Sequence, residues 1–219
     1  LIFKFYHKTG IIGRMNDTPT PPKIGEDVEP GEEELNQIAQ KIIDEALAEI
    51  SHKYDAQGEN SKAYHNTVHT REVMARLDQL IEATDWNNIF QELATTENLR
   101  DLENLPHAQR MNSIRRALKM AAAAHDIIQD YPPGEGRNEI ESGNWLAAKM
   151  EGEFFETEID WAKIAILATI TKIEGETPEK RRLKQNLPEH VDPLTRFCVQ
   201  LLCDADLGNL GSDWEIYWR

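Results

Sequence analysis

Two histidines spaced four residues apart are the first feature that could perform chemistry. They are His65 and His69, in the segment Tyr64-His65-Asn66-Thr67-Val68-His69. In a helix this spacing places both imidazoles on one face, one turn apart, provided that the helix already includes His65. The two rings could then share a metal ion, or one could bind metal while the other transfers protons. Taken alone the pair is a weak signal, because surface or capping histidines at a helix start show the same spacing.

An adjacent histidine and aspartate, His125 and Asp126, follow a run of four alanines. Burying both groups in an apolar helix costs free energy unless each finds a partner. A divalent metal ion would satisfy both, since neutral imidazole and carboxylate are both ligands. The alternative is a core histidine hydrogen-bonded to a carbonyl, with Asp126 solvated near the end of the helix.

Two aspartates near the end of the chain, Asp204 and Asp206, form the third candidate. Residues two apart lie about 200° apart around a helix, so only one of these carboxylates can point at a shared site. The helical geometry alone does not choose between them. The other is expected to belong to an ordinary acidic helix end.

The bulk composition restricts the possible partners. The formal charge is −15, from 24 Lys plus Arg against 39 Asp plus Glu, which disfavours binding to nucleic acid polymers or anionic membranes. No apolar run is long enough to span a membrane. The two cysteines, Cys198 and Cys203, form neither a metal-type pair nor a disulfide framework, so a reducing cytoplasm fits best. The composition does not indicate an oligomeric state.

Helices are predicted to position all of these residues. Residues 1–31 form an extended or poorly ordered lead-in, Pro-rich from residue 16 onward, and residues 32–219 form one all-α domain of about seven helices. Helical patterns run from residue 32 to a break over residues 54–61, and then over about 66–83, 89–93, 108–128, 138–152, 157–172, 178–186 and 192–207.

Together the three motifs resemble those of the HD superfamily of metal-dependent phosphohydrolases. The order is a histidine pair, then His-Asp on an apolar helix, then an aspartate on a late helix. Tyr-His-Asn-x-x-His, Asn138-Glu139 followed by Ser142, Ala168-Thr169 and Asp-Ala-Asp-Leu-Gly-Asn-Leu-Gly are similar to the small bacterial "predicted metal-dependent HD phosphohydrolases". Tyr-His-Asn-x-x-His, the His-Asp helix and Ala-Asp-Leu-x-Asn are also similar to the three corresponding motifs of cyclic-nucleotide phosphodiesterases. The resemblance covers about residues 64–211.

The resemblance implies an HD-type helical fold and a divalent ion, which could be Mn, Mg, Fe, Ni or Zn. It assigns four metal ligands: His69, His125, Asp126 and Asp206, the last in preference to Asp204. It also implies that His65 protonates the leaving oxygen and that Asp126 orients or shares the attacking water. A second site rich in histidine is not expected, because only His190 lies between Asp126 and Asp206.

Each of four further residues is compatible with two roles. Asn138, Glu139 and Ser142 match a polar helix motif, which implies a place behind the ligands or beside the substrate. The alternative is a surface helix start capped by Asn138. Lys172 stands near a position where the small bacterial proteins often carry a histidine. It could bind phosphate there, or it could be an exposed lysine at a helix end.

The predicted function is therefore metal-dependent hydrolysis of a small phosphoester, such as a nucleotide or a phosphorylated metabolite. One alternative is a non-catalytic regulatory module that binds metal or nucleotide. The second alternative is a di-iron oxygenase of the same fold, and it would need more histidine ligands than this sequence offers.

Overall fold

The computed structural model describes residues 31–94, 99–132, 135–174, 182–188 and 190–208. This part contains seven α-helices: α1 (Glu32–Tyr54), α2 (Thr67–Ala83), α3 (Trp86–Leu93), α4 (His107–Ala124), α5 (Arg137–Met150), α6 (Glu156–Ala168) and α7 (Pro193–Leu207). The predicted all-α class is confirmed. The predicted lead-in, residues 1–31, lies outside the described residues except for Gly31. None of the described helices has both the length and the apolar character needed to cross a membrane.

Helix α4 lies at the centre of the fold. It packs against α1, α2, α5, α6 and α7, and its four alanines at 121–124 are fully buried. Side chains as small as alanine let neighbouring helices approach closely on several sides. The buried apolar side chains of all seven helices form one cluster around it. The residues that follow this helix, beginning with His125, are thereby placed inside the protein.

The end of α4 comes four residues earlier than the predicted end at residue 128. The backbone N–H of Ile128 donates to Ser142 Oγ at 3.2 Å, and that of Gln129 donates to the Tyr54 hydroxyl at 2.8 Å. These N–H groups would donate to carbonyls four residues back if the helix continued. Side chains of α5 and α1 accept them instead, so tertiary contacts end the helix.

A β-hairpin replaces part of the predicted helical structure before α7. Strand β1 (Thr171–Glu174) pairs antiparallel with β2 (Arg182–Gln185), with Thr171 opposite Gln185. The prediction of a helix over 178–186 is therefore wrong for residues 182–185. Helix α6 ends at Ala168, four residues before its predicted end at residue 172. The β-branched residues at 169–171 and 173 favour extended backbone over helix, which accounts for the early end of α6.

A buried ion pair joins three of the helices. Arg116 of α4 donates from Nε and Nη2 to Glu158 Oε1 of α6, at 3.1 and 2.9 Å, and Nη1 also pairs with Glu32 at the start of α1. Glu158 is completely buried and Arg116 nearly so. Burial raises the pKa of Glu158, and the attraction of Arg116 offsets only part of that effect.

Candidate metal centre

The histidine pair lies at the start of α2, but only one of the two belongs to the helix. Asn66 caps the helix, and its Oδ1 accepts from the backbone N–H groups of Val68 and His69. His69 is therefore buried in the first turn, whereas His65 lies in the preceding segment. The shared-face geometry required a helix that includes His65, so it does not apply. The tertiary fold brings the two rings together, with centroids 6.1 Å apart.

Four side chains from three distant segments converge on one point. Nε2 of His69 lies 3.3 Å from Nε2 of His125 and 3.2 Å from Oδ1 of Asp206. Oδ2 of Asp126 lies 3.2 Å from Nε2 of His125 and 3.5 Å from Nε2 of His69. All four predicted ligands thus present an atom to the same small volume. Asp204 is exposed and accepts from Gln200 on the outer side of α7.

These spacings fit the ligand sphere of one divalent cation. With metal–ligand bonds of about 2.1 Å, neighbouring ligand atoms lie about 3.0 Å apart in an octahedron and about 3.4 Å apart in a tetrahedron. The distances that join the two imidazole nitrogens to each other and to the two carboxylates are 3.2 to 3.7 Å, in or near this range. Two imidazoles and two carboxylates are also a donor set used by such ions. The residues present therefore fit a divalent ion.

The electrostatics of the cluster favour a positive charge at its centre. Burial lowers the pKa of His125, but the charges of Asp126 and Asp206 outweigh burial and raise this pKa to about 10. Burial raises the pKa of Asp126, but the positive charges of His125 and His65 hold it well below its usual range. The Nδ1–H of His125 donates to the Ala122 carbonyl at 2.8 Å, which directs Nε2 toward the cluster.

His65 lies at the open side of the cluster. Its side chain is 43% exposed, whereas those of His69 and His125 are almost completely buried. The Nδ1–H of His65 donates to Oδ2 of Asp126 at 2.8 Å. Partial burial lowers the pKa of His65, but the Asp126 carboxylate outweighs it, and the net shift is upward. This position favours the imidazolium form and keeps the ring in contact with solvent, so that His65 could donate a proton there.

Two residues that the sequence did not single out support this centre, Gln129 directly and Tyr54 through Gln129. Gln129 donates from Nε2 to Oδ1 of Asp126 at 2.8 Å, and the Tyr54 hydroxyl accepts from the Gln129 backbone N–H. Gln129 comes three residues after Asp126, and that proximity is the only sequence signal for it. Tyr54 belongs to α1, and only the tertiary fold places it here.

The polar motif in α5 fixes the segment that follows Asp126. Asn138 is the second residue of α5, and Gly136 takes the cap position, so the capping role does not apply. The Asn138 side chain accepts from the N–H of Tyr131 at 2.9 Å and donates to its carbonyl at 3.0 Å. Ser142 binds the same segment through the N–H of Ile128. Both residues are buried, and Glu139, in the first turn of α5, is partly buried.

Lys172 lies in strand β1, opposite Lys184. Because α6 has already ended at Ala168, the alternative of a lysine at a helix end is wrong. The side chain of Lys172 lies outside the described residues. Phosphate binding by Lys172 therefore stays a prediction.

Comparisons with protein-family models, with curated proteins and with solved structures found no match to this chain.

Proposed function

We propose that this protein is a divalent-metal-dependent hydrolase of a small phosphoester, of the HD type that its motifs resemble. The observation that carries the proposal is the convergence of two imidazole nitrogens and two carboxylate oxygens, with His65 beside them. The four donor atoms come from two histidines and two aspartates in three segments that are far apart in sequence. Structural histidines and aspartates rarely converge in this way unless they hold a charged partner.

The donor set supports several ions. Imidazole suits Zn, Fe and Ni, while carboxylate suits Mg and Mn, and this site offers two of each. A divalent ion bound there would polarise a phosphoryl oxygen and lower the pKa of a bound water. The ligands themselves need to be deprotonated, and Asp126 already is, because its pKa lies well below the usual range.

His65 has the properties required of the acid that protonates the leaving oxygen. The Asp126 carboxylate raises its pKa, which favours the imidazolium form, and its exposure leaves one edge of the ring open to substrate. Since Nδ1–H donates to Asp126, Nε2–H is the atom that can transfer a proton outward. Asp126 thus serves two purposes: it is a ligand, and it orients and charges His65.

The net charge of −15 supports a small substrate over a polymer. A nucleic acid would bring many phosphates against this acidic surface, whereas a nucleotide or phosphorylated metabolite brings one or a few. We propose a cytoplasmic location on the basis of the cysteine pattern.

The test is a panel of nucleotides and phosphorylated metabolites assayed with Mn, Mg, Fe, Ni and Zn. We expect phosphate or phosphomonoester release that EDTA abolishes, with turnover by Asp126→Ala below detection. His65→Gln should lower kcat by about 10² to 10⁴, the usual contribution of a general acid. His52→Gln, which alters an exposed histidine on α1, serves as the matched control and should leave kcat unchanged. Equal turnover by wild type and Asp126→Ala would contradict the proposal. Tight metal binding without turnover on any phosphoester would favour a non-catalytic binding module.

A further inference from the structure

Asp126 presents its two carboxylate oxygens to different partners. Oδ2 faces three imidazoles: it accepts from His65 at 2.8 Å and lies 3.2 Å from His125 and 3.5 Å from His69. Oδ1 points away from them and accepts from Gln129 Nε2 at 2.8 Å. A carboxylate can bind a metal ion through one oxygen or both, so whatever holds Oδ1 affects how Asp126 binds.

Gln129 is itself held in place by α1. Its backbone N–H donates to the hydroxyl of Tyr54, which is completely buried and also lies 3.4 Å from the Ile127 carbonyl. A chain of hydrogen bonds therefore runs from the core of α1, through Gln129, to Oδ1 of Asp126. Gln129 is thus held through its backbone N–H at the Tyr54 end of this chain, and its side-chain amide donates to Asp126 at the other end.

The amide is chemically suited to this task. It donates a hydrogen bond without adding a charge, whereas lysine or arginine here would neutralise Asp126 and repel a cation. Neighbouring donors that orient metal-binding carboxylates typically change metal affinity by about 10- to 100-fold when removed.

We propose that Gln129 is a positioning residue that reserves Oδ1 of Asp126, so that Asp126 meets the metal ion through Oδ2 alone. This inference rests on the proposed function, because it assumes that the cluster binds a divalent ion. It assigns Gln129 a role in metal affinity, beyond its hydrogen bond in the metal-free protein.

The test is the affinity of the purified, EDTA-treated protein for Mn²⁺, followed by the electron paramagnetic resonance signal of the free ion. Gln129→Met keeps the length of the side chain and removes its donor, and we expect about 10- to 100-fold weaker binding. Gln200→Met is the matched control, since Gln200 donates to exposed Asp204 in a Gln–Asp pair of the same kind, and it should bind Mn²⁺ as wild type does. Circular dichroism verifies that each variant is folded. If Gln129→Met does not fold, Tyr54→Phe replaces it, and a weaker Mn²⁺ affinity than wild type is expected there too.

The outcomes separate this inference from the proposed function. Equal Mn²⁺ affinity of Gln129→Met and wild type overturns the role of Gln129, whether or not the protein is a hydrolase. If Tyr54→Phe is tested instead, equal Mn²⁺ affinity of Tyr54→Phe and wild type also overturns the role of Gln129. Weaker binding by Gln129→Met supports the role even if no phosphoester is hydrolysed, a result that would overturn only the proposed hydrolase. A wild-type protein that binds no Mn²⁺, Zn²⁺ or other divalent ion overturns both.

Discussion

Binding of a divalent ion to this cluster is expected to release about one proton near pH 7. The proton comes from His125. Burial alone would lower its pKa, but Asp126 and Asp206 raise it to about 10, so the ring is charged at neutral pH in the metal-free protein. A metal ligand must be the neutral imidazole, and the ion therefore competes with this proton.

The size of the effect follows from the shifted pKa. At pH 7, about three units below the pKa of His125, the imidazolium exceeds the neutral ring by about a thousandfold. The apparent affinity for the ion is lower by the same factor than it would be above pH 10. Since the pKa of His125 is raised, protons compete with the metal ion for its ring throughout the neutral range. The affinity for the ion should therefore rise about tenfold for each pH unit between pH 6 and 8.

Isothermal titration calorimetry with Mn²⁺ measures both quantities. Titrations at pH 7 in buffers of different ionisation enthalpy count the protons released, and titrations from pH 6 to 8 give the slope. His52→Gln controls for the general effect of losing a histidine and should behave as wild type does. Metal binding with no proton release and no dependence on pH would refute the assignment of His125 as a protonated ligand.

Two further predictions concern α7 and the core. Asp206→Asn should weaken Mn²⁺ binding at least tenfold, because Asp206 lies at the cluster, whereas the control Asp204→Asn should leave it unchanged. The same titrations measure both affinities. Equal affinities of the two variants would remove Asp206 from the ligand set. Arg116→Met should lower the free energy of unfolding by about 3 to 5 kcal/mol, because it leaves the carboxylate of Glu158 buried without its partner. Urea denaturation checks this, and a loss under about 1 kcal/mol would show that Glu158 is accommodated without the ion pair.

The helices and the candidate ligands could be predicted because the signals for them are local in the sequence. Each is marked by local information: helical apolar spacing in α1, α2 and α4, and metal-binding residue types at His69, His125 and Asp206. The choice of Asp206 over Asp204 came from resemblance, and the structure places Asp206 at the cluster.

What the sequence could not supply depends on contacts between distant segments. Gln129 is an ordinary polar residue until the fold directs its amide at Asp126, and Tyr54 acts on it from 75 residues away. The early end of α4 has the same origin, since side chains from other helices accept its N–H groups. Strand β2 was missed because its polar sequence, Arg-Leu-Lys-Gln, carries no strong strand signal, and its pairing with β1 is needed to form it.

The helix ends around the cluster have a consequence for its charge. His125 immediately follows the carboxyl end of α4, and Asp206 lies in the last turn of α7. The carboxyl end of a helix carries a partial negative charge of about half an electron. Two such ends close to the cluster attract a cation independently of the ligand side chains.

The amino end of α2 would oppose that attraction, because it carries the corresponding positive partial charge. Here its first N–H groups are already bonded, Thr67 to the Asp55 carboxylate and Val68 and His69 to Asn66. The negative charge of Asp55 offsets the positive end of the helix. His69 can therefore lie at a helix amino terminus, ordinarily a place for anions, and still contribute to a cluster that favours a cation.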